Sequence, residues 1–507
     1  MNPPDSAGAP LTRRSPTGPG NVVSAPASRA GLLALGVAVL AAIHLAVALR
    51  GTLANDAKMQ WAQIAAGRLN DWHPPAMARL WQALGLFGPG PAPFIWFSVL
   101  LYWSGFLVLG LVLLRERRPG AALATLALGV GAAALWFEAI SKDTLLTSFF
   151  LLGFALALLA RQSGRPRTGL LAAAAALFLV GVLMRHNGAF AAGPAMLLAC
   201  APQVLRRFWL ATGVSVAVAA LLVPLSQFAD HRLFGAAPSR VENTLLLFDL
   251  AGIAYHADDA SVFGKPAITA RVVKTCYSPV MWDTMAPWGI CPWFPAAAGA
   301  RLLDQPELIA EGIAPPANLM GKWLSAVIHH PLAYAEHRLR HANAEMLLLV
   351  STKPRNGVVP ADPAPAPADS LLLTIARYTA GVVFIPGMVV AIGLAAFLLL
   401  SARVHAAEPA PSLILGAYAM SGSALLYAAS YAVLGVATAP RYYMLTGVLS
   451  LAALIVAIGD AEVGRIWRRR GALRIACLAL PLSAVALAEV GRLCIPVPPS
   501  RPLIAAP

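Results

Sequence analysis

Residues 93–114 read PFIWFSVLLYWSGFLVLGLVLL, and after the basic step RERR the chain resumes at 119–137 with PGAALATLALGVGAAALWF. Neither run alternates between polar and apolar positions, so neither reads as a lipid-facing strand of a barrel. At 1.5 Å rise per residue, roughly 20 apolar residues match the ~30 Å hydrocarbon core of a bilayer. The pair therefore reads as two membrane-spanning helices joined by a tight basic turn. Beyond residue 137 the chain turns polar again with EAISKD, 138–143, before the next apolar run.

Working outward, the same pattern predicts eleven spans, at about 31–49, 93–114, 119–137, 144–160, 168–184, 188–201, 208–228, 380–400, 412–434, 443–458 and 472–488. Composition agrees: 58% of the 507 residues are hydrophobic and 12% charged, about half the charge of an ordinary soluble chain. This excludes a cytosolic enzyme and a secreted disulfide scaffold. The net charge of +15 does not point to nucleic acid, because the arginines gather at the ends of apolar runs, where they set topology and meet anionic headgroups of membrane lipids. Arginine outnumbers lysine 32 to 6, and Ala, Gly and Pro abound, as in proteins of GC-rich bacteria. Counting alternate connections, seventeen basic residues fall on one side and nine in the short segments of the other. The rule that basic loops stay inside then puts the N-terminus in the cytoplasm and the C-terminus outside.

On this topology residues 1–30, rich in Pro, Gly, Ser and Ala, form a disordered cytoplasmic leader, and 489–507 an external tail. Two external segments exceed simple connections. The first, 50–92, predicts a helix near 57–67 that Asn55 or Asp56 would cap, a turn through Asn70–His73, and a second helix, 76–86, started by Pro74-Pro75. The second, 229–379, is large enough for a small domain between spans seven and eight. It carries Cys276 and Cys291, a candidate disulfide in an oxidising space. It also carries a Pro/Ala-rich linker, 353–369, and two amphipathic helices over 319–348. His337 and His341 stand four apart there, a metal-ligand spacing that lacks a third ligand, so they read as packing or solvated histidines.

The polar residues of four external loops carry the chemistry. Asp56, Asp71 and His73 lie in the first loop; Glu138, Lys142 and Asp143 in the loop between the third and fourth spans. Arg185 and His186, with Asn187, end the fifth span, and Arg441-Tyr442 opens the tenth. Ionisable groups at such depth usually pair or serve a site. Carboxylates can deprotonate a hydroxyl nucleophile, and arginines with a lysine at headgroup depth can hold a phosphate. Each residue alone could equally be an interface group or a helix cap.

This arrangement resembles the GT-C superfamily of membrane glycosyltransferases, with a layout similar to the protein O-mannosyltransferases and lipid A aminoarabinose transferases. Four features carry the resemblance: Asp56 after the first span followed by His73-Pro74-Pro75, the Glu138–Lys142–Asp143 group, the large external segment between spans seven and eight, and Arg441-Tyr442 opening a late span. The resemblance implies an all-α polytopic enzyme of a bacterial inner membrane. Such an enzyme moves a sugar from a polyprenyl-phosphate donor to a hydroxyl of a lipid, glycan or protein acceptor on the outer face. It further implies Asp56 as general base, with Glu138 or Asp143 orienting sugar or base, and Lys142, Arg185 and Arg441 on the lipid phosphate. Asp71, His73, His186 and Tyr442 would complete the substrate contacts, and displacement would invert the anomeric centre. Asp71 beside Trp72-His73 is the alternative base. Many relatives carry two adjacent acids in the first loop, where this chain has Asn55-Asp56, which leaves participation of a divalent metal open; no metal ligand is assigned.

Two other readings compete. An O-antigen polymerase or ligase also combines many spans with a large external loop, but needs no acidic first loop with His-Pro-Pro. A lipid or glycan transporter would show repeats, broken spans and mid-membrane charges. The chain shows no repeat, and its charges gather at one face.

Overall fold

The computed structural model describes residues 27–51, 53–162, 166–264, 269–285, 318–350, 385–406 and 409–495. Among these residues the regular structure is helical, with only two isolated bridges of β type. Eight helices are long and apolar enough to cross a membrane, and the chain is a polytopic helical membrane protein. They include α1 (Ala27–Ala48), α4 (Ala92–Arg115), α6 (Lys142–Arg161) and α9 (Phe208–Phe228) from the first half. Three further apolar helices are shorter: α5 (Pro119–Trp136), α7 (Thr168–Met184) and α8 (Gly188–Cys200). Among the described residues each of the eleven apolar runs thus falls on a helix.

Helix α6 is the centre of the bundle: it packs along α4 and α7, and its apolar positions Leu145, Leu146, Phe150, Leu151 and Phe154 are inaccessible. Close helix approach relies on glycine, as is common where lipid supplies no hydrophobic drive. A Cβ at Gly193 of α8 would lie 2.4 Å from Ser215 Cα of α9, a backbone atom that cannot swing aside. We therefore expect Gly193→Ala to destabilise the protein by about 1–3 kcal/mol. Thermal unfolding in detergent should show it, against Gly169→Ala of α7, where nothing lies within 4 Å and no loss is expected.

The loop after α1 folds as α2 (Asn55–Ala66) and α3 (Pro75–Leu84). Gly67 ends α2 with φ 69°, a left-handed conformation that suits glycine. Gln63 Nε2 donates to Asn70 Oδ1 at 2.9 Å, pinning the turn that follows. The segment after α9 builds a second core from α10 (Glu242–Ala257), α11 (Ala270–Cys276), α12 (Leu319–His329) and α13 (Pro331–Met346). Phe248, Leu250, Ile253, Phe263, Tyr277 and Trp282 fill it, and Trp72 from the first loop packs onto it with its ring 5.8 Å from that of Trp282. Cys276 is disulfide-bonded. Cys291, the 353–369 linker, most of the N-terminal leader and much of the C-terminal tail lie outside the described residues.

The remaining apolar helices are α14 (Pro386–Val404), α15 (Ser412–Leu434), α16 (Met444–Ile458) and α18 (Gly471–Cys494), with the short amphipathic α17 (Ala461–Arg469) between the last two. At the ends opposite the first loop, Arg118 Nη2 reaches Asp460 Oδ2 at 3.3 Å, and Arg403 Nε lies 3.9 Å from the same carboxylate. Arg206 donates to Ala410 O at 3.1 Å. These connections, 115–118, 202–207, 401–411 and 459–471, thus meet in pairs: the first and third with the last, and the second with the third.

Candidate active site

Asp56 stands in the first turn of α2, where a carboxylate is favoured by the unpaired N–H groups of a helix start. The expected capping role is not found. The helix begins at Asn55, two residues before the expected start, Ala54 occupies the cap, and no side chain caps it. The Asp56 carboxylate turns instead toward the bundle, where Arg441 Nη2 donates to Oδ2 at 2.9 Å and Lys142 Nζ lies 4.0 Å away.

The second loop is fixed by two side-chain bonds. Ser141 caps α6 by accepting from the Asp143 N–H, and Thr144 Oγ1 accepts from the Glu138 N–H at 3.2 Å. Lys142 and Asp143 thereby occupy the first turn of α6. Arg441 sits in a 3-10 turn, Pro440–Tyr443, that opens α16. Its guanidinium is central to the cluster: Nη1 donates to Glu138 Oε2 at 2.7 Å, Nη2 to Asp56, and Nε lies 3.9 Å from Asp143 Oδ2. Arg185 follows α7 and ion-pairs through Nη1 with Asp143 Oδ1 at 2.6 Å. Its guanidinium lies 4.6 Å from the Tyr442 ring centre and 5.6 Å from that of Tyr431, and these two rings stack 10° from parallel.

Accessibility divides the carboxylates. The Asp56 and Glu138 side chains are 32% and 36% exposed, whereas Asp143 is 2% exposed and closed in by Arg185. Burial opposes ionisation of Asp56, but the charges of Lys142, Arg441 and Arg185 outweigh it and hold its carboxyl well below the usual carboxylate range. Glu138 moves the other way: burial raises it, with help from the negative Asp143 and Asp56, against the opposing Arg441. His73 is buried, with Nδ1 3.1 Å from Lys142 Nζ. Burial, reinforced by the Lys142 charge, pushes the imidazole down to about 3, so it is neutral and its Nδ1 accepts from the ammonium.

Asp56, His73, Glu138, Lys142, Asp143, Arg185, Arg441 and Tyr442 thus form one constellation. Asp71 and His186 do not enter it. The Asp71 carboxylate accepts from the Ser239 N–H at 2.5 Å and from the Ser239 hydroxyl, and faces His231 Nε2 at 3.4 Å. His186 pairs through Nε2 with the buried Asp230 at 2.8 Å. Asp230 and His231 sit on a π-helical turn, Ala229–Leu233, that continues α9. Tyr431 was not legible in sequence, because a tyrosine near the end of an apolar run looks like any interface aromatic. Asp230 had a signal, a carboxylate directly after a span. His337 and His341 are buried and face different carboxylates: His337 faces Asp249 at 3.1 Å and His341 faces Glu345 at 3.3 Å.

A divalent metal does not fit the constellation as built. Its three carboxylates converge on the Arg441 guanidinium, the position a shared cation would take, and among the described residues no three His, Cys, Asp or Glu side chains gather as ligands. Near the same loop helices, Leu84, Phe87, Pro93 and Trp96 line an apolar recess of about 500 Å3, with Phe87 largely exposed. No protein-family model, no curated protein and no solved structure matches the chain.

Proposed function

We propose that the protein is a GT-C-type glycosyltransferase that moves a sugar from a polyprenyl-phosphate donor to an acceptor hydroxyl at the outer face of a bacterial inner membrane, with all eleven apolar helices spanning. One observation carries this reading: Arg441, from a late loop, joins the partly exposed carboxylates Asp56 and Glu138 from two early loops at one end of the bundle. The charge sits at a membrane edge rather than at mid-span, which favours surface chemistry over transport. The disulfide-bonded Cys276 belongs to the helical domain beside this end, which supports an oxidising outer compartment.

In this reading the donor phosphate draws Arg441 and Lys142 away from Asp56. Asp56, freed from its cations in a site that disfavours the bare charge, becomes a stronger base. It takes the proton of the acceptor hydroxyl as that oxygen attacks the anomeric carbon. The bond from that carbon to the phosphate oxygen breaks, and polyprenyl phosphate leaves with the electron pair, its charge met by Arg441 and Lys142. Direct displacement inverts the centre. Asp143 and Arg185 act behind these groups, holding the Tyr442 ring and the first turn of α6. The apolar recess offers surface for the donor's hydrocarbon chain.

The test is transfer of labelled sugar from a panel of polyprenyl-phosphate donors in proteoliposomes. Transfer with inverted configuration is expected; no transfer from any donor would remove the reading. The same assay carries a pH prediction. Because Glu138 titrates above its ordinary range and Asp56 below, falling pH protonates Glu138 first and loosens Arg441. The acid limb of kcat/KM should therefore follow Glu138 and be lost in Glu138→Gln, whose neutral amide stands for the protonated acid at every pH, whereas a limb owned by Asp56 would remain.

A further inference from the structure

Arg441 and Tyr442 stand on a short arm, residues 435–443, between α15 and α16, and much of what holds this arm comes from the external helical domain. Trp282 N–H donates to Val436 O at 2.8 Å, and Met281 pairs with Ala437 in an antiparallel bridge. Arg338 Nη1 donates to Gly435 O at 2.7 Å, and the Tyr443 hydroxyl donates to Glu345 Oε2 at 3.3 Å. Arg338 and Glu345 are seven residues apart on α13, two turns along one face, and both are buried. The approach is close enough that a Cβ at Gly435 would lie 2.2 Å from Glu345 Oε1.

Both side chains are held from behind. Arg338 pairs with Asp249 of α10, whose carboxylate also accepts from Trp323 Nε1 at 2.8 Å. Glu345 Oε1 faces His341 Nε2, and His341 Nδ1 donates to Pro279 O at 2.7 Å. A carbonyl on one ring nitrogen and a carboxyl on the other require a proton at each contact. Packing α13 against the bundle would need none of this, since an apolar contact avoids the desolvation of buried charge. What the charged groups add is a fixed placement of the arm.

We infer that α13 positions the arm for the reaction: Glu345 through Tyr443, and Arg338 through Gly435, set where Arg441 presents its guanidinium to the donor phosphate. The inference rests on the glycosyltransferase reading for its last clause only. Glu345 and Tyr443 touch no substrate in this scheme and are positioning residues.

The experiment uses the full chain in proteoliposomes and has two readouts. The first is the rate at which phenylglyoxal modifies Arg441, followed by peptide mass spectrometry, with exposed Arg465 at the opposite face as control. The second is the split between donor KM and kcat. Tyr443→Phe keeps the ring and removes one hydroxyl. It should speed modification of Arg441 several-fold, leave Arg465 unchanged, and raise donor KM about fivefold, the equivalent of one ordinary hydrogen bond. Glu345→Ala should do the same, with the double variant no worse than either single one. Glu345→Gln should be near native, because its amide can donate to His341 while its carbonyl accepts from Tyr443. If the native protein transfers sugar but Tyr443→Phe and Glu345→Ala keep native labelling and native KM, the positioning is overturned and the glycosyltransferase reading stands; a loss in kcat alone counts the same way. If labelling rises as expected but the native protein uses no donor, the positioning stands and the glycosyltransferase reading falls.

Discussion

Asp56→Asn should lower kcat for sugar transfer by about 10²–10⁴-fold, the contribution of a positioned general base, without lowering the amount of folded protein. Folding should survive because Arg441 keeps its 2.7 Å partner Glu138 and because the Asp56 side chain, about a third exposed, is not a core group. The variant also has a second signature. In the native protein Asp56 engages Arg441 and Lys142, the two cations that the proposed reaction assigns to the donor phosphate. Removing that negative charge should leave donor KM unchanged or lower, so kcat collapses while binding is retained or improved. A purely structural Asp56 would give the opposite pattern, with a misplaced Arg441, weaker donor binding and a modest effect on kcat. Intact turnover in the variant would remove Asp56 as the base. Asp71 is the less suited replacement, since Ser239 and His231 already engage its carboxylate, which leaves Glu138 as the next residue to test.

The contrast between Asp56 and Asp71 shows what the sequence could and could not supply. Both are acids in the loop after α1, and spacing alone left the choice open. The structure separates them by what faces them: cations from three other loops for Asp56, a serine and a histidine from the end of α9 for Asp71. Helices such as α4 and α6 were legible because twenty apolar residues in a row have few alternatives in lipid. Site residues were legible where ionisable groups sat at span ends, as with Lys142, Arg185 and Arg441, because charge at that depth is rare. The partner of each was not legible, because pairing between residues tens to hundreds of positions apart depends on helix packing that no local pattern records. Tyr431 and the Arg338–Gly435 and Glu345–Tyr443 contacts belong to that class. The histidine pair of α13, read from sequence as packing or solvated, is buried, and each member meets one carboxylate.

The largest effect on stability should come from breaking the Asp143–Arg185 pair. Asp143 is 2% exposed and Arg185 11%, with 2.6 Å between Oδ1 and Nη1, so each ion depends on the other for its compensation. Arg185→Met would leave a buried carboxylate whose next cation, Arg441 Nε, is 3.9 Å away and already shared with Asp56 and Glu138. A loss of about 3–5 kcal/mol is expected for either Arg185→Met or Asp143→Asn, since each strands one buried charge. Against a total stability of roughly 5–15 kcal/mol for a typical protein, this should appear as a large drop in the unfolding temperature in detergent. The double variant, with neither charge, should recover most of the loss, because a buried ion pair often contributes little net stability over uncharged groups. Recovery of stability need not bring recovery of function. Arg185 also lies against the stacked Tyr442 and Tyr431 rings, and Tyr442 is the residue next to Arg441. A double variant that folds like the native protein yet transfers sugar poorly would assign the pair to placing Arg441. One that folds and transfers normally would confine it to holding α6 and α7 together.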